Sequence, residues 1–169
     1  MRLKIIRATV NEIPIIEDVL YNVTDHFESI GDIQWLKKDV TWEGLSRYFR
    51  AEDFYISYLE QTPIGCMAIL DYDPVFWPDL EKGASLFIHK LAIKREYSKQ
   101  GFAREMIDFV KRKAVDEMIY AVHLDCHSSK EKLRKLYEQE QFKLVGEGSP
   151  HDDYYAAFYE WTYVEDNHE

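Results

Sequence analysis

Hydrophobic and polar positions along this chain follow strand-like and helix-like patterns in turn. Strand patterns cover 2–8, 54–59, 64–70, 85–93, 119–125, 142–145 and 154–164. Helical spacing is found from Thr9 to Leu20, from about 101 to 118, and from 130 to 139. It is also found in one or two stretches within 22–50, which Gly31 interrupts. The stretch 119–125 has the character of a fully apolar strand. The predicted order is therefore β-α-α-β-β-β-α-β-α-β-β.

The connections between these elements favour a mixed sheet. A strand–helix–strand passage in the middle of the chain implies a parallel pair, and hairpins on either side of it imply antiparallel edges. Thr9 with Glu12, or Asn11, is expected to cap the first helix. Segments 71–83 and 146–153 are expected to be loops, because they are rich in turn-forming residues. We expect one domain over 1–169, with a flexible polar tail from about residue 165.

Composition excludes several classes of protein. The net charge of −10 argues against nucleic-acid binding, because the chain has no basic stripe to neutralise phosphates. The same charge suits a cationic substrate, although solubility alone is the simpler reason for it. Cys66 and Cys126 lie in apolar runs and are expected to be buried, reduced thiols, and no spacing suggests a metal site. Without a signal segment or a membrane-length apolar run, we expect a cytoplasmic protein that has no membrane partner.

The central segment 86–104 is the most informative part of the sequence. It is predicted to form a strand (Leu86 to Ile93), a short turn, and then the start of an amphipathic helix. The first N–H groups of a helix have no intrahelical acceptor, and the helix dipole is positive there, so a phosphate group binds well at this point. Gly101 and Ala103 would let the backbone come close to such an anion. The pattern indicates a phosphorylated cofactor.

Two motifs in this order resemble those of the Gcn5-related N-acetyltransferase (GNAT) superfamily. The family's cofactor motif, Arg/Gln-x-x-Gly-x-Gly/Ala, stands here as Ser98-Lys-Gln-Gly101-Phe-Ala103. A later motif, Leu-Tyr-Glu-x-x-Gly-Phe, stands as Leu136-Tyr-Glu-Gln-Glu-Gln-Phe142. Ser98, Lys130 and Gln141 depart from the residues that the family usually has at these positions. The resemblance covers nearly the whole chain.

The resemblance implies a fold and a co-substrate. The fold would be α/β (mixed α+β), a mixed, mostly antiparallel twisted sheet with a splayed parallel pair in the middle and helices on both faces. The co-substrate would be acetyl-CoA, whose acetyl group passes directly to a primary amine. The residues implied in cofactor binding are Leu91, Ala92 and Ile93 along the pantetheine arm, Ser98, Lys99, Gln100, Gly101, Phe102, Ala103 and Arg104 at the pyrophosphate, and Lys130.

Catalytic roles are implied for two residues. Tyr137 matches the position of the family's general acid, which protonates the departing thiolate, but it is also a plausible core aromatic. His89 matches a position where some members use a histidine in proton removal, and the simpler interpretation is a strand histidine packed against a neighbouring element. Other candidate bases are Glu81, Asp71, Asp73 and His151.

The acceptor would be held by aromatic residues outside the two motifs. Trp35, Tyr72 and Trp77 are expected to form walls that, with nearby carboxylates, suit a small cationic or amino-acid-like amine. Each of these aromatics could instead belong to the core or to a covering loop. A catalytically idle acyl-CoA-binding module and a protein N-terminal or lysine acetyltransferase stay open as alternatives. A P-loop enzyme is disfavoured, because Gly101 is not followed by Lys-Ser/Thr. Both a monomer and a homodimer are compatible with the sequence.

Overall fold

The computed structural model of the protein describes residues 3–151 and 153–165. Its elements are β1 (Lys4–Arg7), α1 (Ile13–Ser29), α2 (Trp42–Leu45), β2 (Phe54–Leu59), β3 (Thr62–Leu70), β4 (Leu86–Ile93), α3 (Phe102–Asp116), β5 (Ala121–His127), α4 (Glu131–Gln139), β6 (Lys143–His151) and β7 (Tyr154–Thr162). This order confirms the predicted one. Within the described part of the chain, no helix combines the length and the apolarity that crossing a bilayer requires.

The strands form one seven-stranded sheet in the order β1-β2-β3-β4-β5-β7-β6. Strand β5 runs parallel to β4, with Leu86 opposite Val122 and Phe87 opposite His123. The pairs β1–β2, β2–β3, β5–β7 and β6–β7 are antiparallel. The sheet is therefore mixed and mostly antiparallel with a parallel pair inside it, which confirms the fold class expected from the resemblance.

The chain groups into two compact units, Met1–Ile69 with His89–Met106 and Leu70–Ile88 with Ile107–Glu169. In the first unit, α1 packs its apolar face on the sheet, and the fully buried side chains there include Ile16, Leu20 and Phe54. In the second unit, the most deeply buried side chains include Phe87, Ile107, Val110, Val122 and Tyr159. A single domain over 1–169 stays a prediction, and residues 166–169 of the expected tail lie outside the described residues.

The start of the first helix follows the predicted capping pattern. The backbone N–H of Thr9 donates to Glu12 Oε2 at 3.2 Å, and the N–H of Asn11 donates to the Thr9 hydroxyl at 3.2 Å. This capping box closes a short 3-10 turn that continues directly into α1. The helix runs further than the pattern indicated, to Ser29, and Gly31 follows it with a φ of 73°. The predicted helical stretch after residue 22 is thus mostly the continuation of α1.

One predicted loop is a strand. Residues 146–151 were expected to lie in the loop 146–153, but they form the second half of β6 and pair with β7, with Gly146 opposite Phe158 and Gly148 opposite Ala156. The register shifts twice, between Leu144 and Gly146 and again after Gly148. β6 lies at the edge of the sheet, where glycine, proline and bulges are tolerated because one side of the strand needs no ladder partner.

Helix α4 ends in a Schellman motif. The N–H of Gln141 donates to Glu138 O at 3.1 Å, and the N–H of Phe142 donates to Tyr137 O at 3.0 Å. The rings of Phe142 and Tyr137, whose centroids lie 6.3 Å apart, make the apolar contact that accompanies this motif. Gln141 has a φ of 68°, in the left-handed region that glycine adopts most easily.

We expect Gln141→Gly to stabilise the protein by about 1 kcal/mol, because glycine removes the side-chain strain of the left-handed conformation. Urea unfolding measures the change. The matched control is Lys135→Gly on α4, which should lower the free energy of unfolding by about 1 kcal/mol because glycine is a poor residue inside a helix. Destabilisation by both substitutions would contradict this account of the α4 terminus.

Candidate active site

The turn before α3 contains two residues with a left-handed backbone conformation. Lys99 has a φ of 60° and Gly101 a φ of 83°. The Ser98 hydroxyl donates to Arg95 O at 2.8 Å, which fixes the start of the turn. Left-handed residues in such a turn direct successive N–H groups toward one side, and α3 begins immediately afterwards at Phe102. A Cβ built on Gly101 would meet nothing within 4 Å, so the space beside this glycine is open.

The first turn of α3 and the segment before it are held in place by hydrogen bonds within the first unit. The N–H of Leu3 donates to the Glu105 carboxylate at 3.3 Å, and the buried Ser57 hydroxyl donates to the Met106 sulfur at 3.4 Å. Upstream of the turn, the N–H of Arg95 donates to Asn22 Oδ1 on α1 at 2.9 Å. Phe102 is itself buried. The predicted pyrophosphate residues therefore lie on a supported segment, with Lys99, Gln100, Gly101 and Arg104 exposed at its surface.

Strand β4 contains an irregular residue in its middle. Lys90 has a φ of 52°, although residues on both sides of it belong to the strand. A left-handed, non-glycine residue inside a strand is sterically costly, by about 1–3 kcal/mol, and such strain is concentrated at functional sites. Lys90 directly precedes Leu91, where the predicted pantetheine segment begins.

The predicted pantetheine segment Leu91–Ile93 is closely packed against β3. A Cβ on Gly65 would come within 2.7 Å of Ala92 O and within 2.7 Å of the Ser57 hydroxyl oxygen. Position 65 therefore requires glycine for steric reasons. Ala92 is buried, and the N–H of Lys94 donates to Ile64 O at 2.8 Å just beyond the strand.

His89 and Trp35 both lie in the first unit and both have aromatic or cationic neighbours. The His89 ring lies 5.8 Å from the Phe49 ring, centroid to centroid, which is the contact that the packing interpretation requires. The Lys90 ammonium lies 5.0 Å from the centroid of the Trp35 ring. One face of Trp35 is thus already covered by an internal cation. The proposed roles of these two residues stay predictions.

Tyr137 lies in the second unit, on the buried face of α4, and only 5% of its surface is exposed. Its ring packs edge-to-face on Tyr159, with centroids 5.6 Å apart. Burial raises the pKa of the Tyr137 hydroxyl well above its usual range, and the neighbouring Cys126 and Asp125 raise it further. The phenol therefore keeps its proton at neutral pH, as a general acid must before it acts.

A hydrogen-bond network holds α4 against β7. The Arg134 Nε–H donates to the Tyr159 hydroxyl at 3.0 Å, and that hydroxyl donates to the Glu138 carboxylate at 3.0 Å. The same guanidinium donates to Ser128 O at 3.0 Å and lies 2.8 Å from a Glu147 carboxylate oxygen. Lys130, a predicted cofactor residue, occupies the N-cap position of α4. The network therefore fixes the orientation of the helix that carries Tyr137.

A cleft of about 270 Å³ lies in the second unit, beside Trp77. Its lining combines the loop after β3 with the strands β5, β6 and β7 and comprises Phe76, Trp77, Pro78, Asp79, Leu80, His123, Val145, Gly146, Phe158 and Glu160. We call this the Trp77 cleft.

Tyr72, the other predicted substrate aromatic of the loop after β3, is 46% exposed. Of the alternative bases, Asp71 and Glu81 are exposed. Asp73 is buried, and one of its carboxylate oxygens accepts a hydrogen bond from the N–H of Phe76 at 3.1 Å. The ring of His151 stacks on the ring of Tyr154.

Sequence reasoning missed a polar pair in the Trp77 cleft. His123 lies on β5, directly opposite Glu160 on β7, and its Nε2 is 2.7 Å from Glu160 Oε2. The stretch 119–125 was interpreted as fully apolar, and His123 corrects that interpretation. Because His123 is 1% exposed, burial lowers the pKa of its imidazole, even though Glu160 acts in the opposite direction. His123 in β5 and Glu160, the only charged residue of β7, were the signal that could have revealed the pair.

Comparison with known proteins identifies the family. The model of the Acetyltransferase (GNAT) family matches residues 21–142. The chain belongs to this family. No curated protein matches the sequence. Acetyl-CoA is the co-substrate of GNAT enzymes, which confirms at the level of the family the cofactor that the resemblance implied.

Solved structures share the fold at low sequence identity. A GNAT-family acetyltransferase from Listeria monocytogenes is 18% identical, with a TM-score of 0.76, and the alignment covers 95% of each chain. PaiA N-acetyltransferase from Thermoplasma acidophilum, in complex with coenzyme A, is 16% identical with a TM-score of 0.68, covering 96% of this chain and 100% of that one. A GNAT acetyltransferase from Elizabethkingia anophelis with acetyl-CoA bound is 15% identical with a TM-score of 0.67, covering 96% and 99%. These similarities establish the fold.

Gly101→Ala is expected to lower the free energy of unfolding by about 1 kcal/mol, because alanine is strained at a positive φ. Gly148→Ala is the matched control: a Cβ meets nothing within 4 Å at either glycine, but only Gly101 has a left-handed backbone. The control should be neutral or slightly stabilising. Equal effects of the two substitutions in urea unfolding would show that the conformation of the turn is not under strain.

Proposed function

We propose that this GNAT protein transfers the acetyl group of acetyl-CoA to the primary amine of a small cationic or amino-acid-like molecule. The observation that carries the proposal is the turn from Lys99 to Gly101, whose left-handed backbone leads into the N-terminus of α3 in a chain of this family. A membrane-free, cytoplasmic setting and a monomer or homodimer are part of the same proposal.

The residues of the turn fit a pyrophosphate group. The N-terminus of α3, which is longer than three turns, adds a partial positive charge to the N–H groups of the turn. The space beside Gly101 is open, so the backbone can be approached closely there. Lys99 and Arg104, both exposed, would add positive charge. Ser98 replaces the family's usual Arg/Gln but is used within the turn, where it bonds to Arg95 O.

The irregular residue of β4 suits the part of the cofactor next to the reacting carbonyl. At Lys90 the backbone leaves the regular strand geometry, so that the N–H and C=O groups around Leu91 need not all follow the ladder of the sheet. Such groups would bind the pantetheine arm, and an N–H there would polarise the thioester oxygen. Bound acetyl-CoA supplies an activated acetyl thioester, and this chain supplies its position and the proton transfers.

Tyr137 is proposed to give a proton to the departing thiolate. Its hydroxyl is protonated at neutral pH because burial raises its pKa. The helix that carries it is fixed by the Schellman terminus and by the Arg134–Tyr159–Glu138 network, so its direction is defined before any ligand binds. His89 is proposed to accept the proton that the ammonium form of the acceptor must lose, directly or through water.

The acceptor class follows from charge and aromatic content. The chain carries a net charge of −10, and the predicted substrate residues Trp35, Tyr72 and Trp77 are aromatic. Aromatic faces beside carboxylates bind alkylammonium groups through cation–π and ionic contacts. PaiA N-acetyltransferase from Thermoplasma acidophilum, which shares this fold, has been crystallised with coenzyme A, and this supports an N-acetyltransferase with the same type of cofactor.

Cofactor binding is tested by thermal unfolding with acetyl-CoA, CoA and ATP. A ligand that binds only the folded protein, at about 100 times its dissociation constant, stabilises it by about 2.7 kcal/mol. We expect acetyl-CoA and CoA to raise Tm and ATP to leave it unchanged. Thiol release from acetyl-CoA in the presence of a panel of amines then separates a working enzyme from an idle binding module. The absence of a shift with either CoA species would overturn the proposal.

We expect Tyr137→Phe to lower kcat by about 10²-fold or more while the affinity for acetyl-CoA changes little, because only the proton donor is lost. Thiol release measures kcat, and the thermal shift with acetyl-CoA measures binding. Tyr120→Phe, which removes the hydroxyl of an exposed tyrosine in the same unit, is the control and should behave like the unmodified protein. An unchanged rate in Tyr137→Phe would reduce Tyr137 to a packing residue.

A further inference from the structure

We propose that the Trp77 cleft binds a small alkylammonium ion, held between the rings of Trp77 and Phe158 and the carboxylate of Glu160. The inference deepens the proposed function by identifying where the positive charge of an acceptor is recognised, and for that role it rests on the proposed function. Binding of the cation itself requires no acetyl-CoA.

The two aromatic rings form adjoining walls of the cleft. The centroids of Trp77 and Phe158 lie 5.2 Å apart, and the ring planes meet at 81°. Because the two rings stand at nearly a right angle, each of them can contact the same small ligand, through its π-face or through its edge. Trp77 provides the most electron-rich face of any aromatic side chain, so it is the strongest cation–π partner.

The carboxylate of Glu160 contacts a neutral imidazole on β5, although the exposed Lys143 lies directly opposite it on β6 and offsets part of its charge. A histidine 2.7 Å from a carboxylate commonly forms an ion pair with it. Here the pKa of His123 is lowered by burial, so its imidazole is neutral and donates Nε2–H to Glu160 without cancelling the charge. The side chain of Glu160 is 37% exposed, so a ligand can reach it.

The remaining polar groups of the cleft also favour a ligand that donates hydrogen bonds over a ligand that accepts them. Asp79 adds a second carboxylate to the rim. The lining residues that the structure describes include no lysine and no arginine. An anion would be repelled here, and an uncharged apolar ligand would leave Glu160 desolvated without compensation.

The size of the cleft restricts the guest to a small ion. Its volume of about 270 Å³ is slightly below the usual lower range of pockets for drug-sized ligands, roughly 300 Å³. A quaternary or primary ammonium group with a short alkyl chain fits such a volume. The rigid base of the cleft, formed by paired residues of β5 and β7, would bind it without rearrangement of the strands.

Titration calorimetry on the full chain without acetyl-CoA tests the inference. The probes are choline and its neutral isostere dimethylbutanol, in which carbon replaces the nitrogen, so that the two differ in charge and hardly in shape. We expect choline to bind about tenfold or more tightly than the alcohol, as a desolvated cation–π contact with a counter-charge implies. Equal affinities would show an apolar pocket and would overturn the proposal.

Variants locate the bound cation. Trp77→Leu removes the π-face, and Glu160→Gln removes the charge while its amide oxygen can still accept from His123. Each should weaken choline binding about tenfold or more, whereas neither should weaken the binding of the alcohol to this extent. Trp161→Leu and Glu131→Gln remove the same groups at positions outside the cleft lining and should leave choline binding unchanged.

Folding of each variant is checked by circular dichroism. If Trp77→Leu does not fold, Trp77→Phe replaces it, and choline binding should weaken by a smaller factor because phenylalanine offers a weaker π-face than tryptophan. Choline binding that survives both Glu160→Gln and loss of the Trp77 face would place the cation elsewhere and overturn the inference. A CoA thermal shift without choline binding would refute only this inference, whereas choline binding without a CoA shift would refute only the proposed acetyl transfer.

Discussion

The backbone conformation of a few residues between β4 and α3 is the constraint on which the candidate site depends. Lys90 has a φ of 52° inside β4, and Lys99 and Gly101 have left-handed angles in the turn that follows. Such conformations are unfavourable in isolation and persist only where the surroundings enforce them. Here the contacts from Leu3, Asn22 and Ser57 to the adjoining residues provide that support. The chemistry proposed for the site requires backbone N–H groups whose directions are fixed in this way.

The second unit shows how a sheet register can create a polar site inside an apolar layer. The antiparallel pairing of β5 with β7 places His123 opposite Glu160, and Trp77 from the preceding loop lies 4.4 Å from the imidazole, centroid to centroid. Cross-strand neighbours interact directly, so the register alone brings the two polar groups into contact. Burial then lowers the pKa of the imidazole, so that His123 is a neutral partner of the carboxylate.

Elements whose pattern is local were predicted well. The capping box of Thr9 and Glu12, strand β2 and the strand–turn–helix segment from Leu86 all lie where the sequence indicated, since each depends on residues close together in the chain. The second half of β6 was wrongly expected to be a loop, because its glycines and Pro150 resemble turn residues. Pairing with β7 overrides that local preference at an edge of the sheet, where a missing donor costs little.

The sequence by itself determined the order of the elements, the family, and the position of the glycine turn before α3, because these depend on periodicity and on motifs of a few residues. Only the tertiary structure decided which polar residues meet. The strain at Lys90 and the pairing of His123 with Glu160 come from strand register and packing between distant segments. The physical reason is that local patterns fix φ and ψ preferences, whereas side-chain contacts depend on how far-separated strands align.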